Sequence, residues 1–132
     1  MFEENLKYYS TRVYINAHPV KYLPVCRISR NLVCNALIRK GLTIFFFRDS
    51  NNECDFIIKK GTKISGAVQV CYHLTGENTK REIAGLLSAC HSFNLKTGYI
   101  ITEQTSRIIE EEGVEIRIVP IVEYLLGFAN ID

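Results

Sequence analysis

From residue 29 onward the apolar positions switch between helical and strand periods, and the switches predict the elements. Leu32, Val33, Ala36 and Leu37 recur at helical spacing. Ser29 stands where it can cap that helix, Gly41 where it can close it, and Arg39 and Lys40 suit the negative end of its dipole. Leu42-Thr-Ile-Phe-Phe-Phe-Arg48 is aromatic and β-branched, and Asp49-Ser-Asn-Asn52 is turn chemistry leading into a second strand, Glu53 to Lys59. Lys60-Gly-Thr-Lys63 turns the chain again into a third strand from Ile64 to His73, so three antiparallel strands are expected. Ile83, Leu86, Leu87 and Cys90 repeat at i, i+3, i+4 and i+7, and Glu77 and Arg81 are spaced as a favourable i, i+4 pair, so residues 77–93 predict an amphipathic helix.

Gly98-Tyr-Ile-Ile-Thr102 is a short continuous apolar strand of the sort covered on both faces. With the strand and helix before it, it predicts a right-handed βαβ crossover and a strand parallel to its predecessor. Val114 to Val119 alternates and predicts a half-exposed strand, and Pro120 opens a final short helix ending near Gly127. The expected class is α/β: a mixed sheet in the order αβββαβ, with an extra C-terminal strand and short helix. Residues 1–25 are poorly legible, with a short strand expected at Arg12 to Ile15 and turns around His18-Pro19 and Leu23-Pro24.

Length and composition narrow the class. At 132 residues, 47% hydrophobic and 23% charged, the chain suits one globular domain over 1–132 and excludes disordered and low-complexity classes. A formal charge of +2 is far from the basic balance that by itself signals nucleic-acid binding. The apolar runs are short of the roughly 20 residues that span a bilayer, and the N-terminus lacks the apolar region of a secretory signal, so a cytoplasmic, non-membrane protein is expected. Five cysteines without a Cys-x-x-Cys pair predict free, mostly buried thiols rather than a disulfide framework or a zinc site.

Candidate chemistry falls on the second and third strands. Residues two apart share a strand face, which groups Glu53 with Asp55 and Gln69 with Cys71 and His73. Taken alone, these positions also suit a wet turn at Glu53, an Asp55 paired with a lysine, and a buried Cys71.

Four segments point further: Arg30-Asn-Leu-Val-Cys-Asn-Ala-Leu-Ile-Arg-Lys-Gly41; Phe47-Arg-Asp-Ser-Asn-Asn-Glu-Cys-Asp-Phe56; Val68-Gln-Val-Cys-Tyr72; and Tyr99-Ile-Ile-Thr102 with Ile118-Val-Pro-Ile-Val-Glu-Tyr-Leu-Leu126. In order and content they resemble the PD-(D/E)XK, or restriction-endonuclease-like, superfamily. Within it they resemble a domain of unknown function found C-terminal to prokaryotic AAA-class ATPases, with the likeness running over a nuclease-like core at residues 26–127. In active members, the resemblance implies, an aspartate on the second strand and a Glu-x-Lys on the third converge on a divalent metal. Carboxylate and carbonyl oxygens hold Mg²⁺, the metal activates water, and the lysine positions it for phosphodiester hydrolysis.

Asp55 matches that aspartate, but Gln69 stands at the glutamate position and Cys71 at the lysine position. Losing one charge beside a cation forfeits part of roughly 4 kcal/mol for a pair about 4 Å apart at an effective dielectric of ~20, and a thiol supplies no fixed positive charge. Arg30 and Ala36 stand where related sequences commonly carry glutamates. Asp55, Gln69 and Cys71 are therefore read as a degenerate catalytic motif, with no metal and no cofactor expected. The chain also lacks the G-x-x-x-x-G-K-[ST] loop, so its expected role is a non-catalytic interaction or regulatory module, an excised part or solitary remnant, beside an AAA-class ATPase module or that ATPase's protein partners.

The rival reading is a Mg²⁺-dependent nuclease acting on DNA, its site rebuilt from Glu53, Asp55, Lys59 or Lys63. A Cys71–His73 thiolate pair or soft-metal site is weaker, because neighbours on one strand face lie about 7 Å apart. A nucleic-acid backbone is a candidate partner of Arg30, Arg48, Lys59 and Lys63, which flank the expected cleft together with Arg27, Arg39, Lys40 and Lys60.

Overall fold

A computed structural model of the chain describes residues 6–8 and 25–131. Its elements are β1 (Leu6–Tyr8), α1 (Val25–Arg39), β2 (Thr43–Arg48), β3 (Glu53–Lys60), β4 (Lys63–Val70), α2 (Gly76–Ser92), β5 (Thr97–Thr102), β6 (Arg107–Glu111), β7 (Val114–Pro120) and α3 (Ile121–Leu125). The strands form a mixed sheet in the order β1-β2-β3-β4-β5-β7-β6. β1 to β4 are antiparallel, β5 is parallel to β4 and β7 to β5, and β6 returns antiparallel on β7. The chain is thus an α/β protein, and the expected parallel placement of β5 after a crossover helix is what the sheet shows.

Each sheet face has its own core. α2 lays Ile83, Leu86, Leu87 and Cys90 over Phe47, Cys54, Ile57, Ala67, Ile100 and Ile116. On the other face, Val33, Cys34 and Leu37 of α1 and Ile121 and Tyr124 of α3 cover Ile44, Phe56, Ile58, Val68 and Ile101. The helical spacing predicted for residues 77–93 is the spacing that α2 buries. Thr75 caps α2 in a reciprocal box with Asn78, which satisfies two backbone donors left over by the first turn.

Several boundaries differ from expectation. Ser29 does not cap α1: the helix starts at Val25, and Ser29 is buried within it, one turn ahead of Val33. Gly41 does close it, at φ +76° and with its N–H on Ile38. β4 ends at Val70 rather than at His73. Pro120 ends β7 and caps α3 instead of opening the helix. Arg81 reaches its neighbour Glu82, at 3.4 Å. β6 was not expected at all. It is joined to β7 by a tight turn in which Glu112 (φ 50°) and Gly113 (φ 78°) are both left-handed, the conformation that matches the twist of a two-residue hairpin. The strand expected at Arg12 to Ile15 lies outside the described residues.

Candidate functional site

The two ends of the β3–β4 pair are built differently. Backbone partners run from Lys60↔Lys63 to Phe56↔Val68. Beyond that point side chains take over. The N–H of Asp55 donates to Gln69 Oε1 (2.9 Å), and the N–H of Val70 donates to Asp55 Oδ2 (2.9 Å). Buried backbone donors need acceptors, and here each strand's side chain supplies what the other strand's carbonyl does elsewhere.

A bulge explains the change. Three residues of β2, Phe45 to Phe47, face four of β3, Ile57 to Cys54, so β3 carries one extra residue at this end. Strict alternation fails there: Cys54 and Ile57 join the α2-side core while Phe56 enters the opposite one. Asp55, inside the bulge, is turned into a cleft of ≈ 300 Å³ at the strand ends.

That cleft is bordered by Arg30 of α1, by Arg48 to Glu53 around the β2–β3 turn, by Asp55 and Gln69, and by Arg81 and Glu82 of α2. The turn wall is held by Asp49. Its Oδ1 accepts the N–H groups of Asn51 (3.0 Å) and Asn52 (2.8 Å), and its Oδ2 accepts the Ser88 hydroxyl, tying the turn to α2. The Ser88 bond in the first place, and the turn amides with it, hold the Asp49 carboxyl below its ordinary pKa.

The three other cleft carboxylates come with guanidinium partners. Arg30 Nε lies 3.3 Å from Asp55 Oδ1, Arg48 Nε 3.3 Å from Glu53 Oε1, and the Arg81 guanidinium 3.4 Å from Glu82 Oε1. Asp55 is buried, and its pKa is raised to about 6. Burial dominates; Arg30 and the Val70 N–H pull the value down, while Glu82 and Glu53 push it up.

Gln69 is engaged on both sides of its amide. Besides accepting from Asp55, its Nε2 donates to the carbonyl of Glu53 (2.8 Å) and to that of Glu82 (3.3 Å). A carboxylate in the same place would present lone pairs to two carbonyl oxygens. Gly85 allows this approach of helix and strand, since a Cβ there would lie 2.0 Å from the Glu53 carbonyl oxygen and 2.7 Å from Gln69 Nε2.

Of the three motif positions, Asp55 and Gln69 meet in the cleft and Cys71 does not. β4 has ended, the Cys71 N–H bonds the Ile101 carbonyl, and its thiol points to the His73 carbonyl (3.3 Å). Burial first, then Glu82, pushes the thiol up to about 11, against thiolate chemistry near neutral pH. His73 Nδ1 faces Glu103 (3.1 Å), so the Cys71–His73 pairing considered from sequence places no ring nitrogen on the sulfur. Asp55 pairs with an arginine, not a lysine. Arg30 and Arg48 line the cleft, whereas Lys59 and Lys63 sit at the opposite, turn end of the hairpin. Arg81, Glu82 and Gly85 are additions that strand-based reasoning missed. α2 carries them, and nothing in its spacing says which turn crosses the strand ends.

The donor set does not suit a divalent cation. Asp55 offers one oxygen to a backbone N–H and the other to a guanidinium, and the Gln69 oxygen is held by the Asp55 N–H. Among the described residues no three His, Cys, Asp or Glu side chains are grouped as metal ligands. Cys34, Cys54, Cys71 and Cys90 are free thiols, and among the described residues no helix is long and apolar enough to cross a membrane. No family model matches the chain, and no curated protein or solved structure matches it.

Proposed function

We propose that this chain is a non-catalytic module on a restriction-endonuclease-like scaffold, with an interaction or regulatory role beside an AAA-class ATPase. Three antiparallel strands, a crossover helix and a parallel strand, preceded by a helix, give the αβββαβ order that the resemblance requires. The observation that carries the reading is the two-way engagement of Gln69. In an active site that position needs free anionic oxygen facing a metal; here it needs N–H donors facing the Glu53 and Glu82 carbonyls. Arg30 reinforces it by placing a fixed positive charge against Asp55, where a metal would otherwise be drawn.

The test is incubation of the purified chain with Mg²⁺ or Mn²⁺ and single- and double-stranded DNA, alongside Mn²⁺ calorimetry. No cleavage and no micromolar Mn²⁺ binding are expected. Cleavage or ion binding that Asp55→Ala abolishes would establish the rival reading, a Mg²⁺-dependent nuclease acting on DNA with its site rebuilt from Glu53, Asp55, Lys59 or Lys63, of which Glu53 and Asp55 border this cleft. The ATPase association has its own test: the neighbouring coding sequence is expected to encode a phosphate-binding loop, and a neighbourhood without one counts against it.

A further inference from the structure

Strand β6 lies at one edge of the sheet, with β7 on one side and, among the described residues, no strand on the other. An open edge exposes backbone donors and acceptors to any strand that fits, and charged side chains normally discourage such pairing. The charges of β6 are ordered rather than scattered. It reads Arg107-Ile108-Ile109-Glu110-Glu111, positive at one end and negative at the other.

Ile109 packs on the α2-side core and Glu111 borders the groove beside α2, so Arg107, Ile109 and Glu111 share that face while Ile108 and Glu110 take the other. Ile108 is 63% exposed. Among the described residues neither Arg107 nor Glu111 is held in an ion pair.

Consider a second copy of the strand laid antiparallel, with a two-fold axis through Ile109. Arg107 then stands opposite Glu111 of the other copy, twice by symmetry, with Ile109 opposite Ile109 between the two pairs, all on one face. On the reverse face each Ile108 meets the aliphatic stem of Glu110. Neighbouring symmetric registers lack this match. An axis through Glu110 sets Glu110 against Glu110, and an axis through Ile108 leaves both glutamates beyond the pairing. A parallel arrangement sets Arg107 beside Arg107.

We propose that two copies of this chain pair through β6 in the register Arg107–Glu111, joining their sheets into one across a two-fold axis. This inference uses no residue of the cleft and stands apart from the proposed function. Five residues per copy bury far less than a standard interface, so the dimer is weak, with a dissociation constant on the order of 100 μM.

Sedimentation equilibrium of the full chain up to roughly 1 mM tests it. The unmodified chain is expected to dimerise, more weakly as salt is added. Arg107→Glu and Glu111→Arg are each expected to weaken dimerisation at least about tenfold, since each sets like charges opposite one another. The doubly substituted chain, R107E with E111R, is expected to regain it, and an equimolar mixture of the two single variants is expected to form a heterodimer. Both positions are exposed, and circular dichroism reports whether each variant is folded. If one single variant misfolds, the other single variant and the salt dependence still decide. A chain monomeric at roughly 1 mM, a dimer indifferent to the single substitutions, or a double variant that does not regain dimerisation would each overturn the proposal.

Discussion

The β3–β4 hairpin has one end made of backbone and one made of side chains. At the turn end, Lys60 and Lys63 face each other across Gly61 and Thr62, and apart from one register shift between Lys59 and Ile58 the backbone pairing continues inward through Ile57 to Phe56. At the cleft end the strands part, and Asp55 and Gln69 satisfy the backbone by hand. The first arrangement tolerates almost any side chain that can be a strand residue, whereas the second specifies one amide and one carboxyl. Asp55 and Gln69 are tied to their residue types because their side chains hold the strand ends together.

That contrast predicts where substitutions hurt. The largest effect is expected from Gly85→Ala. The added carbon meets the Glu53 carbonyl oxygen and the Gln69 amide far inside contact distance, and both are backbone-anchored. Although alanine is the better helix former by about 1 kcal/mol, overpacking and a broken amide clamp outweigh it, and a net loss of about 3 kcal/mol is expected in urea unfolding. Stability equal to or above that of the unmodified chain would mean that α2 does not need its close approach to β3.

Next comes the titration of Asp55, which goes from an ordinary 3.8 when unfolded to about 6 when folded. Between these values the folded chain keeps a proton that the unfolded chain has lost. Stability from this group is therefore complete below the lower value and is lost as pH rises through the upper one, by about 3 kcal/mol. Other carboxylates titrate in the same range, so the stability difference between the unmodified chain and Asp55→Asn isolates it: asparagine still accepts the Val70 N–H but does not titrate. The difference is expected to move toward the asparagine variant as pH rises from 4 to 7. Arg30→Ala is expected to shift the transition to higher pH, because the guanidinium favours the charged form. A flat difference curve would show that Asp55 is not buried as described.

Gln69→Glu is expected to cost about 2 kcal/mol at pH 8, the penalty of aiming a carboxylate at the Glu53 and Glu82 carbonyls. The loss should shrink on acidification, since a protonated carboxyl donates one bond and needs no charge in a buried place. Unchanged stability at both pH values would mean that the amide's donors are dispensable, and would remove the main support for the non-catalytic reading.

How much of this was legible in the sequence follows from the same contrast. Elements whose residues alternate or recur cleanly, α2 with Ile83, Leu86, Leu87 and Cys90, or β7 from Val114, carry their burial in their pattern. β6 carried little: of its residues just Ile109 is drawn toward the core, and its turn, Glu112-Gly113, is not among the common hairpin pairs. Asp55 and Gln69 were legible as partners, because facing strands bring them together. Their geometry was not, since it depends on one extra residue in β3, and a bulge changes pairing without changing the run of residue types. Cys71 was misplaced for a related reason: Val-Cys-Tyr-His reads on as strand, but β4 stops at Val70 and the chain turns toward Thr75. Arg81 and Glu82 were invisible as site residues because they come from a helix that crosses the cleft, a relation fixed by packing rather than by spacing.

The smallest effect is expected at the turn end, and it sharpens the comparison because the chemical change is the same as at Gly85. Gly61 has φ +64°, and a Cβ added there meets nothing within 4 Å. Gly61→Ala is therefore charged only with the left-handed conformation, about 1 kcal/mol. The loss should be the same at pH 5 and pH 8, since the turn from Lys60 to Lys63 contains no carboxyl or imidazole side chain. If Gly61→Ala and Gly85→Ala destabilised the chain equally, the two ends of the hairpin would be held in the same way, and the amide and carboxyl at the cleft would be ornaments on an ordinary ladder.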